Sequence, residues 1–122
     1  GWGGLLAEQA PDHVHLIGEV PHDWLFPRMA AVVHHGGAGT TAAGLRAGCP
    51  SVICPFMADQ PFWGRCVQER GCGPAPIPQR RLTAPRLAAA IREAVENPTH
   101  RKRAAAVGAA LRSEDGVGTA IA

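Results

Sequence analysis

The sequence has 122 residues, a formal net charge of +2, 46% hydrophobic residues and 18% charged residues. This is the length of one ordinary domain with a single core, and the balanced composition disfavours disorder and a general nucleic-acid-binding surface. No apolar run approaches the roughly 18 residues of a membrane span, and the first residues do not have the pattern of a signal peptide. We therefore expect a cytoplasmic domain with at most peripheral membrane contact.

The cysteines lack the CxxC spacing of common zinc sites. They are Cys49, Cys54, Cys66 and Cys72. In a cytoplasmic domain such residues are expected to be free thiols, so the sequence predicts no metal site.

Four short apolar segments have the character of β-strands. They are HVHLIG (13–18), AAVVHH (30–35), SVICP (51–55) and GPAPI (73–77). The prolines of the last segment restrict it to the edge of a sheet.

Helical patterns separate most of these segments. They are AGTTAAGLRAG (38–48), a segment after the candidate cap Asp59 that ends at Gly71, a segment after the N-cap Thr83 that ends at Asn97, and HRKRAAAVGAALR (100–112). The basic residues 101–103 are expected to form a solvated face. This alternation predicts the α/β class: a partial Rossmann-like parallel sheet flanked by helices, with a ligand where strands end and helices begin.

The stretch HHGGAGTT (34–41) occupies such a junction. Phosphate binds helix N-termini through backbone N–H groups, and Gly36, Gly37 and Gly39 would let it come close while the Thr40 and Thr41 hydroxyls add donors. A neighbouring imidazole N–H would be a further donor to the anion, and His34 is expected to be structural. This anion site is compatible with several nucleotides.

Two generic nucleotide motifs fit this stretch incompletely. Gly37, Gly39 and Ala42 satisfy the dinucleotide pattern GxGxxA, and Asp59 follows Gly39 by 20 residues, but it does not directly end a strand. The phosphate-loop pattern GxxxxGK[ST] fails because Leu45 follows Gly44. An NAD-binding module therefore stays an alternative.

The longer stretch VPHDWLFPRMAAVVHHGGAGTTAAGLRAGCPSVICPFMADQPFWGRCV (20–67) resembles the donor-binding half of family-one glycosyltransferases with the GT-B fold. The sterol glucosyltransferase-like branch and bacterial natural-product glycosyltransferases are the most similar groups. The resemblance extends from about residue 1 to about residue 122, which implies a partial donor domain, the C-terminal half of a GT-B fold whose first strands are missing.

The resemblance implies a role for each matching position. Val20, Pro21 and His22 would line the nucleoside; His35, Gly37, Ala38, Gly39 and Thr40 would hold the diphosphate; Asp59 and Gln60 would bind the hexose hydroxyls. The implied co-substrate is a UDP-sugar, with no other cofactor. Glu19 stands where plant members have a base-stacking tryptophan, and Ala43 stands where they have a ribose-binding glutamate.

The resemblance also implies inverting transfer of a hexose, glucose in the sterol branch, to a lipophilic hydroxyl. In this family the base and acceptor pocket belong to an N-terminal domain, so we expect the catalytic base outside this chain. The chain is then either a domain fragment or the donor subunit of a split enzyme. A non-catalytic nucleotide-binding or interaction module is the alternative.

Overall fold

The computed structural model describes residues 12–15 and 17–121, the side chains of residues 115–121 excepted. Its helices are α1 (His22–Leu25), α2 (Ala38–Arg46), α3 (Gln60–Glu69), α4 (Ala84–Glu96) and α5 (Pro98–Ile121), and its strands are β1 (Val32–His34) and β2 (Ser51–Ile53). Short 3-10 turns cover Phe26–Arg28 and Gln79–Arg81. Among the described residues, no helix is long and apolar enough to cross a membrane.

The two strands pair in parallel and are connected through α2, which confirms the predicted α/β class. Val32 lies opposite Ser51, and His34 lies opposite Ile53. The strand β2 is buried along its length, whereas Val33 in β1 is 44% exposed. Both strands end at the same edge, so the loops that follow them are neighbours.

The core lies on both faces of β2. Successive strand side chains point to opposite faces, so Val52 and Ile53 contact different helices. Val52 packs with Ala90 and Ala94 of α4, and Ile53 packs with Val67 of α3 and Ala104 of α5. Helices therefore cover β2 on both sides, as in other parallel sheets.

Two predicted strands are not formed in the described residues. In HVHLIG, residues 13–15 and 17–18 have no strand structure, and Leu16 lies outside the described part of the chain. Without a partner strand an extended segment cannot pair its backbone groups, so apolar alternation alone does not make a strand there.

The segment GPAPI also forms no regular strand, yet it lies against β2. Ser51 N donates to Cys72 O at 3.0 Å, and Ile77 N donates to Ile53 O at 2.9 Å. A Cβ on Gly73 would lie 1.9 Å from Ser51 O, so only glycine permits this approach. The prolines between these bonds have no N–H to donate, which explains why a ladder does not form.

The helix boundaries agree with most of the predicted caps. Thr83 Oγ1 accepts from Arg86 N at 3.3 Å at the start of α4, and Gly71 has a φ of 75° after α3. Asp59 precedes α3, but its carboxylate makes no capping bond and instead accepts from Trp63 Nε1 at 2.9 Å. The predicted capping role of Asp59 is therefore wrong.

The basic first turn of α5 fastens this helix to the domain. Arg103 Nε donates to Arg70 O at 3.1 Å, at the carboxyl end of α3. His100 is 8% exposed, with Nδ1 at 2.8 Å from Gly71 O and Nε2 at 2.6 Å from Glu93 Oε2. The basic residues 101–103 are exposed, as expected for a solvated face, and Arg103 also binds a carbonyl group that the end of α3 leaves free.

Candidate functional site

The loop between β1 and α2 presents backbone donors at the surface. Gly37 precedes the helix, and no side chain accepts a capping bond there. Thr41 N donates to Gly37 O at 2.9 Å, whereas the N–H groups of Ala38, Gly39 and Thr40 precede the first helical bond. Ala38 and Gly39 are exposed. This end of α2 combines three free donors with the positive end of the helix dipole, as anion sites do.

The glycines of this loop serve two purposes. Gly36 has a φ of 95°, and a Cβ on it would lie 2.8 Å from Ile53 Cγ2 and 3.1 Å from Gln60 O. A Cβ on Gly39 would meet nothing within 4 Å. Gly36 is therefore required by packing between β2 and α3 rather than by ligand approach, while Gly39 leaves the surface open.

The two histidines occupy different environments. His35 is exposed and lies beside Gly37. His34 Nδ1 accepts from Gly36 N at 3.1 Å, and within the described residues its buried Nε2 has no hydrogen-bond partner. Burial, together with the nearby His35 and His22, lowers the pKa of His34 to about 4. His34 is therefore neutral at pH 7 and holds the loop in shape.

The two threonines also differ. Thr40 is half-buried in the first turn of α2, but Thr41 is only 1% exposed. In the part of the chain that the structure describes, Thr41 Oγ1 is buried without a partner. Only Thr40 therefore has a hydroxyl within reach of a surface ligand, and the donor role expected for Thr41 is wrong.

The segment predicted to line the nucleoside borders a cavity of about 780 Å³. Val20, Pro21 and His22 lie on one wall, and the His22 ring stacks on Phe26 with centroids 4.5 Å apart. Pro21 O already accepts from Trp24 N and Leu25 N. The Pro21 carbonyl is therefore already engaged within α1 and is less available to a base edge.

The loop between β2 and α3 is organised by side chains. Gln60 Oε1 accepts from Phe56 N at 2.8 Å and from Met57 N at 2.9 Å. Ala58 has a φ of 56°, a left-handed conformation that is uncommon outside glycine. Gln60 thus has a structural role that the sequence did not indicate, and its Nε2 group is the one left to donate to a ligand.

A cavity of about 530 Å³ connects the two loops. It is lined by His35, Cys54, Phe56, Gln60, Gln79 and Leu82. The structure thereby brings the predicted diphosphate residue His35 together with the predicted hexose residue Gln60. Asp59 is not among the lining residues.

The predicted site residues did not include four members of this cavity, namely Cys54, Phe56, Gln79 and Leu82. They follow β2 or the segment beside it, so only the pairing of neighbouring segments brings them near His35. Burial raises the pKa of the Cys54 thiol, which keeps it protonated and non-nucleophilic at neutral pH. Within the described residues, no group of three or more histidine, cysteine or acidic side chains is arranged to hold a metal ion.

A protein-family model described as the erythromycin biosynthesis protein CIII-like C-terminal domain matches residues 4–116. The chain belongs to this family. Two sterol 3-beta-glucosyltransferases of Arabidopsis thaliana are 50% and 52% identical to this CIII-like domain, over 99% of its length. The domain spans about a fifth of those relatives, 20% and 19% of their lengths.

Solved structures give the same assignment. The glycotransferase of kitacinnamycin is 31% identical to the CIII-like domain with a TM-score of 0.79, over 91% of this chain and 28% of that one. Glycosyltransferase VinC, solved in complex with DTDP, is 33% identical with a TM-score of 0.74, over 84% of this chain and 26% of that one. These are GT-B glycosyltransferases. The chain is a glycosyltransferase C-terminal domain, which confirms the resemblance drawn from residues 20–67.

Proposed function

We propose that this domain binds UDP-glucose as the donor for inverting transfer of glucose to a lipophilic hydroxyl such as that of a sterol. The observation that carries the proposal is the uncapped N-terminus of α2, where the N–H groups of Ala38, Gly39 and Thr40 face the surface beside exposed His35. A diphosphate is an anion of suitable size and charge for such a helix end. No cofactor besides the nucleotide sugar enters the proposal.

The two cavities support an order of subsites along the surface. The cavity at Val20, Pro21 and His22 would take the nucleoside, and the cavity between His35 and Gln60 would take the hexose. The N-terminus of α2 at Ala38 is separated from His35 only by Gly36 and Gly37. The nucleoside, the diphosphate and the hexose would therefore bind in that order along the loop between β1 and α2.

Asp59 and Gln60 would contact the hexose hydroxyls in this arrangement. Asp59 is exposed, and only its Oδ2 accepts from Trp63 Nε1. The other carboxylate oxygen can accept from a sugar hydroxyl, and Gln60 Nε2 can donate to one. These two groups suit a polyol better than an apolar ligand.

In the proposed reaction, a base removes the acceptor's hydroxyl proton and the oxygen attacks the anomeric carbon. The bond from that carbon to the diphosphate oxygen breaks, and UDP leaves with the electron pair. The α2 N–H groups and His35 would stabilise the negative charge that develops on the diphosphate. We assign the base and the acceptor pocket to a part of the enzyme outside the described residues.

Titration calorimetry with UDP, UDP-glucose and dTDP tests the proposal. We expect UDP-glucose to bind. The substitution His35→Ala should lower the affinities for UDP and UDP-glucose by about tenfold, because a donor to the diphosphate is lost. His15→Ala is the matched control, since His15 is exposed and lines neither cavity. Absence of binding, or equal binding in His35→Ala, would refute the proposal. Tighter binding of dTDP than of UDP would mean that the donor is a dTDP-sugar rather than a UDP-sugar, in keeping with the DTDP complex of VinC.

The alternative of a dinucleotide-binding module has less support. In a dinucleotide fold the acidic residue ends the second strand, but Asp59 lies at the start of α3, after the loop that follows β2. If NAD displaced UDP in the same calorimetry, this alternative would be favoured. Glucosyl transfer that requires an added acceptor-binding chain would identify the domain as the donor part of a split enzyme.

A further inference from the structure

The cavity beside His35 and Gln60 is also lined by residues with no assigned role. Gln79 and Leu82 line the same cavity, as does Phe56, which has 64% of its surface exposed. A volume of about 530 Å³ falls within the range of small-ligand pockets. A ligand that touches His35 and Gln60 would therefore face Gln79.

The backbone holds Gln79 firmly in this position. Gln79 N donates to Pro55 O at 3.0 Å, and Ile77 N donates to Ile53 O at 2.9 Å, so the segment is fixed to the carboxyl end of β2. The 3-10 turn that starts at Gln79 is closed by Leu82 N donating to Gln79 O at 3.1 Å. The residue is anchored through its main chain, while its side chain is exposed.

The side-chain amide of Gln79 is chemically complementary to that of Gln60. Gln60 Oε1 is occupied by two backbone N–H groups of its own loop, so Gln60 offers the cavity only a donor. Across the described residues, the Gln79 side chain makes no hydrogen bond. Its Oε1 and Nε2 can therefore accept from one hydroxyl and donate to its neighbour, the pattern that vicinal hydroxyls of a sugar require.

We infer that Gln79 is a further hexose-binding residue and that it sets the domain's preference for a sugar nucleotide over the free nucleotide. The inference rests on the proposed function, because it takes the sugar to lie between Gln60 and Gln79. Phe56 and Leu82 would border the same sugar with apolar surface and limit access of water to its hydrogen bonds.

Calorimetry on the whole chain, with UDP and UDP-glucose as probes, tests this inference. Gln79→Ala should lower the affinity for UDP-glucose by about three- to tenfold, the effect of one or two neutral hydrogen bonds. The affinity for UDP should stay within about twofold of that of the unmodified chain. Gln79→Glu keeps the acceptor but loses the donor, so it should retain part of the preference for UDP-glucose over UDP that Gln79→Ala loses. Gln68→Ala is the matched control, because Gln68 is exposed on α3 away from the cavity.

The outcomes separate this inference from the proposed function. If the unmodified chain binds UDP and UDP-glucose but Gln79→Ala weakens both equally, or neither, the inference is overturned and the donor site stands. If the unmodified chain binds neither compound, the proposed function fails and the inference fails with it. A selective loss for UDP-glucose in Gln79→Ala, absent in Gln68→Ala, supports both.

Discussion

The two loops that face the candidate site leave parallel strands in the same direction but use opposite chemistry. The loop from His34 to Gly37, here called the diphosphate loop, leaves the first N–H groups of α2 free. The loop from Cys54 to Asp59, here called the hexose loop, binds its own N–H groups through Gln60 Oε1. One loop therefore offers the main chain to a ligand, and the other offers side chains.

This difference suits the two halves of a nucleotide sugar. A diphosphate is a diffuse anion that several converging N–H groups can hold without a specific side chain. A hexose presents hydroxyls that both donate and accept, so its recognition needs side chains of mixed character. In the proposed function Gly39 leaves room for the diphosphate, whereas Asp59 and Gln60, after the second loop, would bind the hexose.

The largest effect is expected at Gly36, where the diphosphate loop packs against β2 and α3. Gly36→Ala places a Cβ within 2.8 Å of Ile53 Cγ2 at a positive φ, which should lower the free energy of unfolding by about 3 kcal/mol. Gly39→Ala is the control, since its Cβ meets open space and should leave stability almost unchanged while hindering UDP. Urea unfolding measures both, and equal stability of the two variants would contradict the packing role of Gly36.

His34, the first residue of the diphosphate loop, should make the stability of the fold depend on pH below neutrality. The pKa of His34 is about 4 when folded, against an ordinary value of 6.5. The unfolded chain therefore binds this proton first as pH falls, and His34 should account for a loss of about 2 kcal/mol of stability between pH 6.5 and 4, after discounting for partial exposure. His34→Asn keeps an acceptor for Gly36 N and does not titrate. Unfolding curves that fall in parallel for both proteins would contradict this assignment.

The hexose loop should depend on one side-chain oxygen. Gln60→Ala leaves Phe56 N and Met57 N without their acceptor, so it should cost about 1 to 2 kcal/mol of stability. Gln60→Glu retains that oxygen and should unfold close to the unmodified chain, yet it loses the Nε2 donor and with it part of the UDP-glucose affinity. Urea unfolding combined with calorimetry separates the two roles. Equal stability of both variants would show that the loop does not need this oxygen.

The smallest effect is expected at the exposed bond between Trp63 and Asp59. Trp63→Phe removes the indole N–H that lies 2.9 Å from Asp59 Oδ2, and should cost about 0.5 to 1 kcal/mol. Trp24→Phe gives a baseline for the loss of an indole group elsewhere on the surface, because Trp24 is 52% exposed and stacks under Arg28 rather than against Asp59. A loss above about 2 kcal/mol in Trp63→Phe alone would mean that this bond, rather than Gln60, organises the hexose loop.

The sequence predicted the local features well because local physics produces them. The Thr83 cap, the Gly71 helix end and the glycine loop between β1 and α2 all depend on residues close in the chain. HVHLIG failed as a strand because strand formation depends on a partner segment. GPAPI lies beside β2 as an edge segment, but its prolines interrupt the ladder.

Only those parts of the candidate site that are formed by residues close together in the chain could be predicted from the sequence. His35 and the α2 N-terminus follow from the sequence pattern, whereas Gln79 reaches the site through the pairing of GPAPI with β2. The buried placement of Thr41 and His100 was likewise missed. Their burial is decided by α2 and α5 packing against distant segments, which short-range patterns do not contain.

The most direct measurement of the central claim is the amide NMR spectrum of the chain during titration with UDP. The account predicts that the largest shifts occur at the N–H groups of Ala38, Gly39 and Thr40, and that the signals of Phe56 and Met57, already bound to Gln60, move little. UDP-glucose should then add shifts around Gln60. Absence of shifts at the start of α2, or larger shifts at Phe56 and Met57 with UDP alone, would contradict it.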